Sequence, residues 1–196
     1  GIDMALSKYD VTGTYMIWSS YLGGTHDELP HSLICDADNT LYVYGTTSSP
    51  DFPVTNSAFD NTWNGGNIFA PSGVGADYVN GSDIVVTHFN ANGSDLLGST
   101  FIGGSGNDGV NTATNLKFNY ADEFRGEIDI DLDGNVIIAT CTYSTDFPMV
   151  DALQSSLSGA QESCLLKLTP DLTDILWSTY IGGTLDDSGY SCLLYT

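Results

Sequence analysis

The chain is short of positive charge. Four lysines and arginines stand against 25 aspartates and glutamates in 196 residues, a formal net charge of −21. A surface of that sign repels phosphodiester backbones and anionic lipid, so nucleic-acid partners and direct membrane insertion are not expected. It suits solubility, high ionic strength and divalent cations. No run of 18 apolar residues occurs, so no membrane-spanning helix is expected. No signal peptide is recognisable, and the opening Gly-Ile-Asp reads as a mature or excised piece. Cysteine is scarce: Cys35, Cys141, Cys164 and Cys192 show no CxxC spacing and no histidine partner, which argues against zinc. They read as buried free thiols, with at most one incidental disulfide. The three histidines, His26, His31 and His88, suggest no Ser/His/Asp arrangement. Helix signals are almost absent; only Val150–Leu157 hints at one or two turns.

What is present is repetition. A heptapeptide returns three times, as Trp18-Ser-Ser-Tyr-Leu-Gly-Gly24, Gly98-Ser-Thr-Phe-Ile-Gly-Gly104 and Trp177-Ser-Thr-Tyr-Ile-Gly-Gly183. Its last glycines lie 80 and then 79 residues apart. Each copy is followed by acids or a near-pair: Asp27-Glu28, Asn107-Asp108 and Asp186-Asp187. A long fixed period marks an array of one supersecondary unit. The cysteines do not keep register between copies (Cys164 aligns with Val85, Cys192 with Leu33), whereas His88 aligns with Lys167 and reads as a surface residue.

Between turns rich in Gly, Asn, Asp and Ser, nearly everything reads as short strands. One kind of hairpin pairs Met4–Tyr9 with Tyr15–Leu22, Asp83–Phe89 with Asp95–Ile102, and Ser163–Leu168 with Ile175–Ile181. A second kind pairs Ser32–Cys35 with Leu41–Thr46, and Glu127–Ile130 with Val136–Cys141, through turns beginning at Asp36 and Asp131. After each of these comes Asp-Phe-Pro (Asp51-Phe-Pro53, Asp146-Phe-Pro148), where proline is expected to stop the strand and phenylalanine to plug the gap between sheets. The near-equal periods conceal two offsetting insertions, 56–81 and 111–125, around a unit of about 64 residues.

Four antiparallel strands per unit with an aromatic at fixed register describe a β-propeller blade. The expected organisation is all-β: a partial blade over 1–31, blades over 32–102 and 103–181, and the start of another over 182–196. About two full blades and two half-blades cannot close a ring, since closed propellers take about four to eight. The chain is therefore expected to be part of a larger propeller or to be completed by other chains.

These residues resemble the bacterial SBBP beta-propeller repeat. The resemblance rests on Leu6-Ser-Lys-Tyr-Asp10, Gly13-Thr14, Trp18-Ser-Ser-Tyr-Leu-Gly-Gly24, Asp131-Leu-Asp-Gly-Asn-Val136, Val43-Tyr-Gly-Thr-Thr47 and Asp-Phe-Pro. It covers nearly the whole chain outside the two insertions. It departs at Gly98, where the other copies have Trp, and at Ala139-Thr-Cys141, where the first has Tyr44-Gly-Thr46. The resemblance implies a large secreted or cell-surface bacterial protein, often from Bacteroidota exporting through type IX secretion, and a scaffold or adhesion role. It implies no catalytic residues.

Three constellations bear on chemistry. Gly103-Gly-Ser-Gly-Asn-Asp-Gly-Val-Asn111 matches a calcium-binding nonapeptide, but that motif works by stacking every nine residues and here its kin lie about 80 apart. Asp129-Ile-Asp-Leu-Asp-Gly134 opens like an EF-hand loop, yet Thr140 stands where the bidentate Glu belongs. Alternation would place Asp129, Asp131 and Asp133 on one side of the strand and Ile128, Ile130 and Leu132 on the other. A type I′ or bulged turn is one reading; a Ca2+ held by Asp131 and Asp133, with Asp36 and Asp38 in the other blade, is the second. The acids after each Gly-Gly could line a rim as glycosidase carboxylates. Because they recur in every copy, capping of turns is the stronger reading.

The unique aromatics of the insertions, Trp63, Phe69, Phe118, Tyr120 and Phe124, suit contact with a glycan or a surface protein. Taken together, a non-catalytic propeller segment for display, adhesion or assembly is expected, its partners being other blades or domains of the same polypeptide. The alternatives are a glycan-binding or glycan-hydrolysing propeller and a calcium-stabilised spacer.

Overall fold

The structure is a computed structural model that describes residues 1–71, 75–119 and 121–195. Among the described residues ten strands follow in chain order: β1 Met4–Tyr9, β2 Met16–Leu22, β3 Glu28–Cys35, β4 Leu41–Thr47, β5 Asp83–Phe89, β6 Leu96–Ile102, β7 Glu127–Ile130, β8 Val136–Thr142, β9 Glu162–Leu168 and β10 Ile175–Ile181. They form an all-β fold of three antiparallel sheets: β1-β2, β3-β4-β5-β6 and β7-β8-β9-β10. Each four-stranded sheet is a simple meander, so every strand pairs with its neighbour in sequence.

The copies share fine detail. The register slips once in each long hairpin, after Lys8, after His88 and before Trp177, at the same place in every copy. A bulge of this kind adds twist and bends the strand locally. The turns beginning at Asp10, Asp36 and Asp131 are held by their own aspartates. Asp10 Oδ1 accepts the amides of Thr14 and Tyr15 at 2.9 and 2.8 Å.

Two apolar layers separate the sheets. One gathers Met4, Leu6 and Leu22 from the first sheet with Val43, Val85, Phe89 and Phe101 from the second. The other gathers Tyr42, Tyr44, Ile84 and Val86 from the second with Ile128, Val136, Cys164 and Leu166 from the third. The middle sheet is thus covered on both faces, and β5 (Asp-Ile-Val-Val-Thr-His-Phe) is buried at every position. A strand covered twice reads as a continuous run, and one covered once alternates. β1 and β9 alternate accordingly, along Met4-Ala-Leu-Ser-Lys-Tyr9 and Glu162-Ser-Cys-Leu-Leu-Lys-Leu168.

This layering corrects the expectation for His88. It aligns with the half-exposed Lys167 but is 8 % exposed, with its ring stacked 3.8 Å from that of Tyr42. The thiols divide: Cys141 and Cys164 are buried, Cys35 is exposed, Cys192 is between, and all four are free.

Gly98 has a physical account. The turn after β9 runs Thr169-Pro-Asp-Leu-Thr-Asp174, and a Cβ at Gly98 would lie 2.5 Å from Asp171 O. Leu172, fully buried, occupies that corner. At the preceding junction the turn is the shorter Asn90-Ala-Asn-Gly93, and Trp18 packs against it and Phe89.

Other expectations are corrected. β3 begins at Glu28 rather than Ser32, with a register slip between Pro30 and Ser32 that sets His31 aside. Proline is tolerated there because β3 is an edge strand. β4 and β8 end at Thr47 and Thr142, before Asp-Phe-Pro, so the proline does not stop them. The segment 150–157 is not helical: Ser178 N donates to Val150 O at 2.8 Å and Tyr180 N to Gln154 O at 3.1 Å, which makes it a strap along β10. Single 3-10 turns occur instead at Thr114–Leu116 and Asp122–Phe124.

Candidate functional site

The repeated signature assembles at each junction between sheets. Four residues after the second glycine stands an acid: Glu28, Asp108 or Asp187. Its carboxylate accepts that glycine's amide in all three copies, Gly24 at 3.0 Å, Gly104 at 2.7 Å and Gly183 at 2.7 Å. In the first two copies the same carboxylate takes hydroxyls from the end of the second strand of the following sheet and from just beyond it. Thr47 Oγ1 donates to Glu28 Oε1 at 2.6 Å; Thr142 Oγ1 donates to Asp108 Oδ1, and Ser144 Oγ donates to its Oδ2 at 2.8 Å.

The aspartate of Asp-Phe-Pro closes the loop from the other side. Asp51 Oδ1 accepts Thr25 N and Oγ1, both at 2.9 Å, and Asp146 Oδ1 accepts Ser105 N at 2.8 Å and Oγ at 3.0 Å. Ser49 Oγ and Ser144 Oγ accept the amides of His26 and Gly106, each at 2.8 Å. Phe52 and Phe147 are buried between the sheets against Phe101 and Tyr180, as expected of plugs. Residues scattered over the repeat therefore form one clamp. The sequence reading missed its hydroxyls, although Thr47-x-Ser49-x-Asp51 and Thr142-x-Ser144-x-Asp146 share a spacing that could have revealed them.

The clamp dictates glycine. A Cβ at Gly24 would stand 2.5 Å from Ser49 Cβ, and one at Gly104 2.5 Å from Asp146 Oδ1. At Gly183, whose loop meets no Thr-x-Ser-x-Asp segment among the described residues, the nearest atom would be 3.9 Å away.

Carboxylates also crowd the first glycine. A Cβ at Gly103 would lie 2.7 Å from Asp83 Oδ1 and 2.9 Å from Asp108 Oδ2. Asp83 accepts the amides of Asn64 at 2.8 Å and Gly65 at 3.1 Å. Both acids are fully buried. Burial pushes Asp83 up to about 7 and Asp108 up to about 8, against the pull of their donors, and the charge of Asp83 raises Asp108 further. Burial likewise raises Glu28.

The turn aspartates face one another across a cavity of about 410 Å3 lined by Asp36, Asp38, Asp131 and Asp133. Asp36 Oδ1 accepts the amides of Asp38 and Thr40 at 3.0 and 2.8 Å, and Asp131 Oδ1 those of Asp133 and Asn135 at 2.9 and 2.8 Å. Lys167 Nζ lies 2.6 Å from Asp131 Oδ2. Burial works to raise Asp131, but the Lys167 ammonium and the turn's donors outweigh it and hold the carboxyl well below the usual range. Asp38 and Asp133 are exposed. The strand ends at Ile130, so the alternation expected through Asp133 stops there, and Leu132 is exposed rather than packed inward. Among the described residues no three His, Cys, Asp or Glu side chains converge as metal ligands.

Of the insertion aromatics, Trp63 sits edge-on to Phe101 at 5.7 Å. Phe69, Tyr78 and Phe124 stack in series at 6.3 Å each, and Phe124 meets His31 at 5.8 Å. Burial pushes His31 down to about 3. Tyr78 and His31 were not anticipated in this cluster, and no sequence signal marks them. Phe118 is 80 % exposed, and Tyr120 lies outside the described residues.

Two predictions follow from the clamp's packing and its charge. Gly104→Ala should lower unfolding stability by about 1–3 kcal/mol. Gly183→Ala should change it by less than about 0.5 kcal/mol, as at an uncrowded surface position. Urea denaturation of both variants checks the pair. A carboxyl whose folded pKa is raised stabilises the fold fully below its unfolded value, and that contribution is lost as pH rises through the folded value. The share of stability owed to Asp83 and Asp108 should therefore fall from about pH 4 to about pH 8, opposed below about pH 6.5 by His31, which burial keeps neutral in the fold. Asp108→Asn should make urea midpoints fall less across that range than they do in the unsubstituted chain.

No family model and no curated protein matches the chain, so the role of its signature rests on its own three copies.

Proposed function

We propose that the three sheets are successive blades of a β-propeller, and that the chain is a non-catalytic scaffold segment of a large secreted or cell-surface bacterial protein. It would act in display, adhesion or assembly, beside further blades or domains of the same polypeptide. The observation that carries this reading is the use made of the signature. Its glycines, acids, hydroxyls and Asp-Phe-Pro residues are bonded to one another at the sheet junctions. A glycosidase pair needs one carboxyl free to protonate a leaving group and another open to the sugar. The recurring acids Glu28 and Asp108 are instead buried under amides and hydroxyls. The resemblance to SBBP repeats supports the same reading. Contact with a glycan or surface protein would fall to the unique insertion residues, with Phe118 the exposed aromatic among the described ones.

The test is to lengthen the array. Additional copies of residues 28–102 are fused in tandem and the products followed by sedimentation velocity. If the sheets are blades, the frictional ratio falls once about four to eight units are present and the ring closes. If the units stack as an open solenoid, it rises with every copy added.

A further inference from the structure

We infer that the free edge of β1 is an acceptor site for an extended β-strand that follows an acidic turn and carries bulky residues at alternate positions. β1 is the counterpart of β5 and β9, which are flanked on that edge by β4 and β8. β1 itself pairs only with β2, and among the described residues Met4–Tyr9 make no other backbone hydrogen bond. The inference rests on reading the three sheets as copies of one unit; it needs neither ring closure nor adhesion.

The side chains define what is missing. Beside the edge lies a largely apolar cavity of about 400 Å3, lined by Leu6, Lys8, Trp18, Leu33, Cys35 and Leu41 among others. Leu33 and Leu41 are the counterparts of Ile128 and Val136 in the third sheet. Those two are 3 % and 0 % exposed, in the layer that contains Tyr42 and Tyr44 of β4. Leu33 is 57 % exposed. The cavity is thus where the equivalents of Tyr42 and Tyr44 belong. By the register of β4 on β5, they would stand opposite Lys8 and Leu6. Trp18 Nε1 is also the one buried side-chain polar atom among the described residues that has no hydrogen-bond partner.

Charge identifies the turn. Lys8, His88 and Lys167 are register equivalents. Lys8 Nζ donates to Ala91 O at 3.0 Å, and His88 Nδ1 lies 3.2 Å from Pro170 O, so each touches the next sheet's turn. His88 also reaches Thr40 Oγ1 at 2.7 Å, which in turn donates to Asp36, and Lys167 pairs with Asp131. Lys8 has no counterpart of the Asp36 or Asp131 turn beside it, and among the described residues no carboxylate lies within ion-pair distance of it. The occupant is therefore a segment with the chemistry of Asp36–Thr47: an acidic turn, then a strand with large side chains at alternate positions. Main-chain pairing would supply affinity and the two pockets selectivity, as in β-strand addition.

The probe is the whole chain carrying a second copy of residues 36–47 at its N-terminus, joined by a Gly/Ser linker of about 20 residues to keep the local concentration high. Amide hydrogen exchange in Met4–Tyr9 is compared with that of the unextended chain and of an extension bearing Ser in place of both tyrosines. The tyrosine extension should slow exchange in β1 by at least about tenfold, and the serine extension should not. Leu33→Asp, at an exposed position, should abolish the protection while leaving the unfolding midpoint of the unextended chain in place. Lys8→Glu should weaken it several-fold. Equal exchange with and without the extension would overturn the proposal, as would protection at β6 or β10 instead. So would an unextended chain that sediments as a dimer with β1 already protected, because the edge would then pair copies of the chain.

Discussion

The carboxylate that accepts the second glycine's amide ties each sheet to the next, and the rest of the structure depends on it. Sheets with two apolar faces need neighbours, but apolar contact is non-directional and sets no angle or register. The clamp supplies direction. Glu28 and Asp108 each join the end of one long hairpin to the last residue of the second strand in the following sheet, Thr47 or Thr142. Asp51 and Asp146 fix the same loop from outside. A buried carboxylate without such donors would be costly, and satisfied ones of this kind specify a single arrangement.

Layering then decides the fate of each side chain. Equivalent positions differ in exposure because the middle sheet has two neighbours and the others have one. Val85 and Val86 are both buried, whereas in β9 their counterparts Cys164 and Leu165 divide into buried and half-buried. The same logic makes His88 interior and Lys167 a surface ion pair. It also accounts for the exchange of a large residue across a junction, Trp18 over a short turn and Leu172 over Gly98 within a longer one.

Much of this was legible in the residues. Strand positions followed from Asp- and Gly-bearing turns whose side chains bond their own backbone, a local effect that sequence records directly. The glycines and acids of the clamp stood out because they repeat. Its hydroxyls did not, since Thr and Ser are ordinary strand residues whose role appears only when two sheets meet. The segment 150–157 had helical apolar spacing, yet its backbone bonds to β10, a tertiary choice that local pattern does not encode. The start of β3 was hidden by Pro30 and by the bulge at His31. Trp63, Phe69 and Phe124 stood out for being unique to the insertions, but uniqueness does not distinguish an aromatic tucked against its neighbours from one presented to solvent, as Phe118 is.

The central claim is that the clamp, rather than apolar contact alone, locks the sheets together. Native-state amide exchange of Gly24, Thr25, Gly104 and Ser105 against Gly183 tests it most directly. If the claim holds, the first four exchange only through global unfolding, with the sheet interiors, while Gly183 exchanges through local opening. If all five exchange alike through local fluctuation, the loops are passengers on an apolar stack and the account fails.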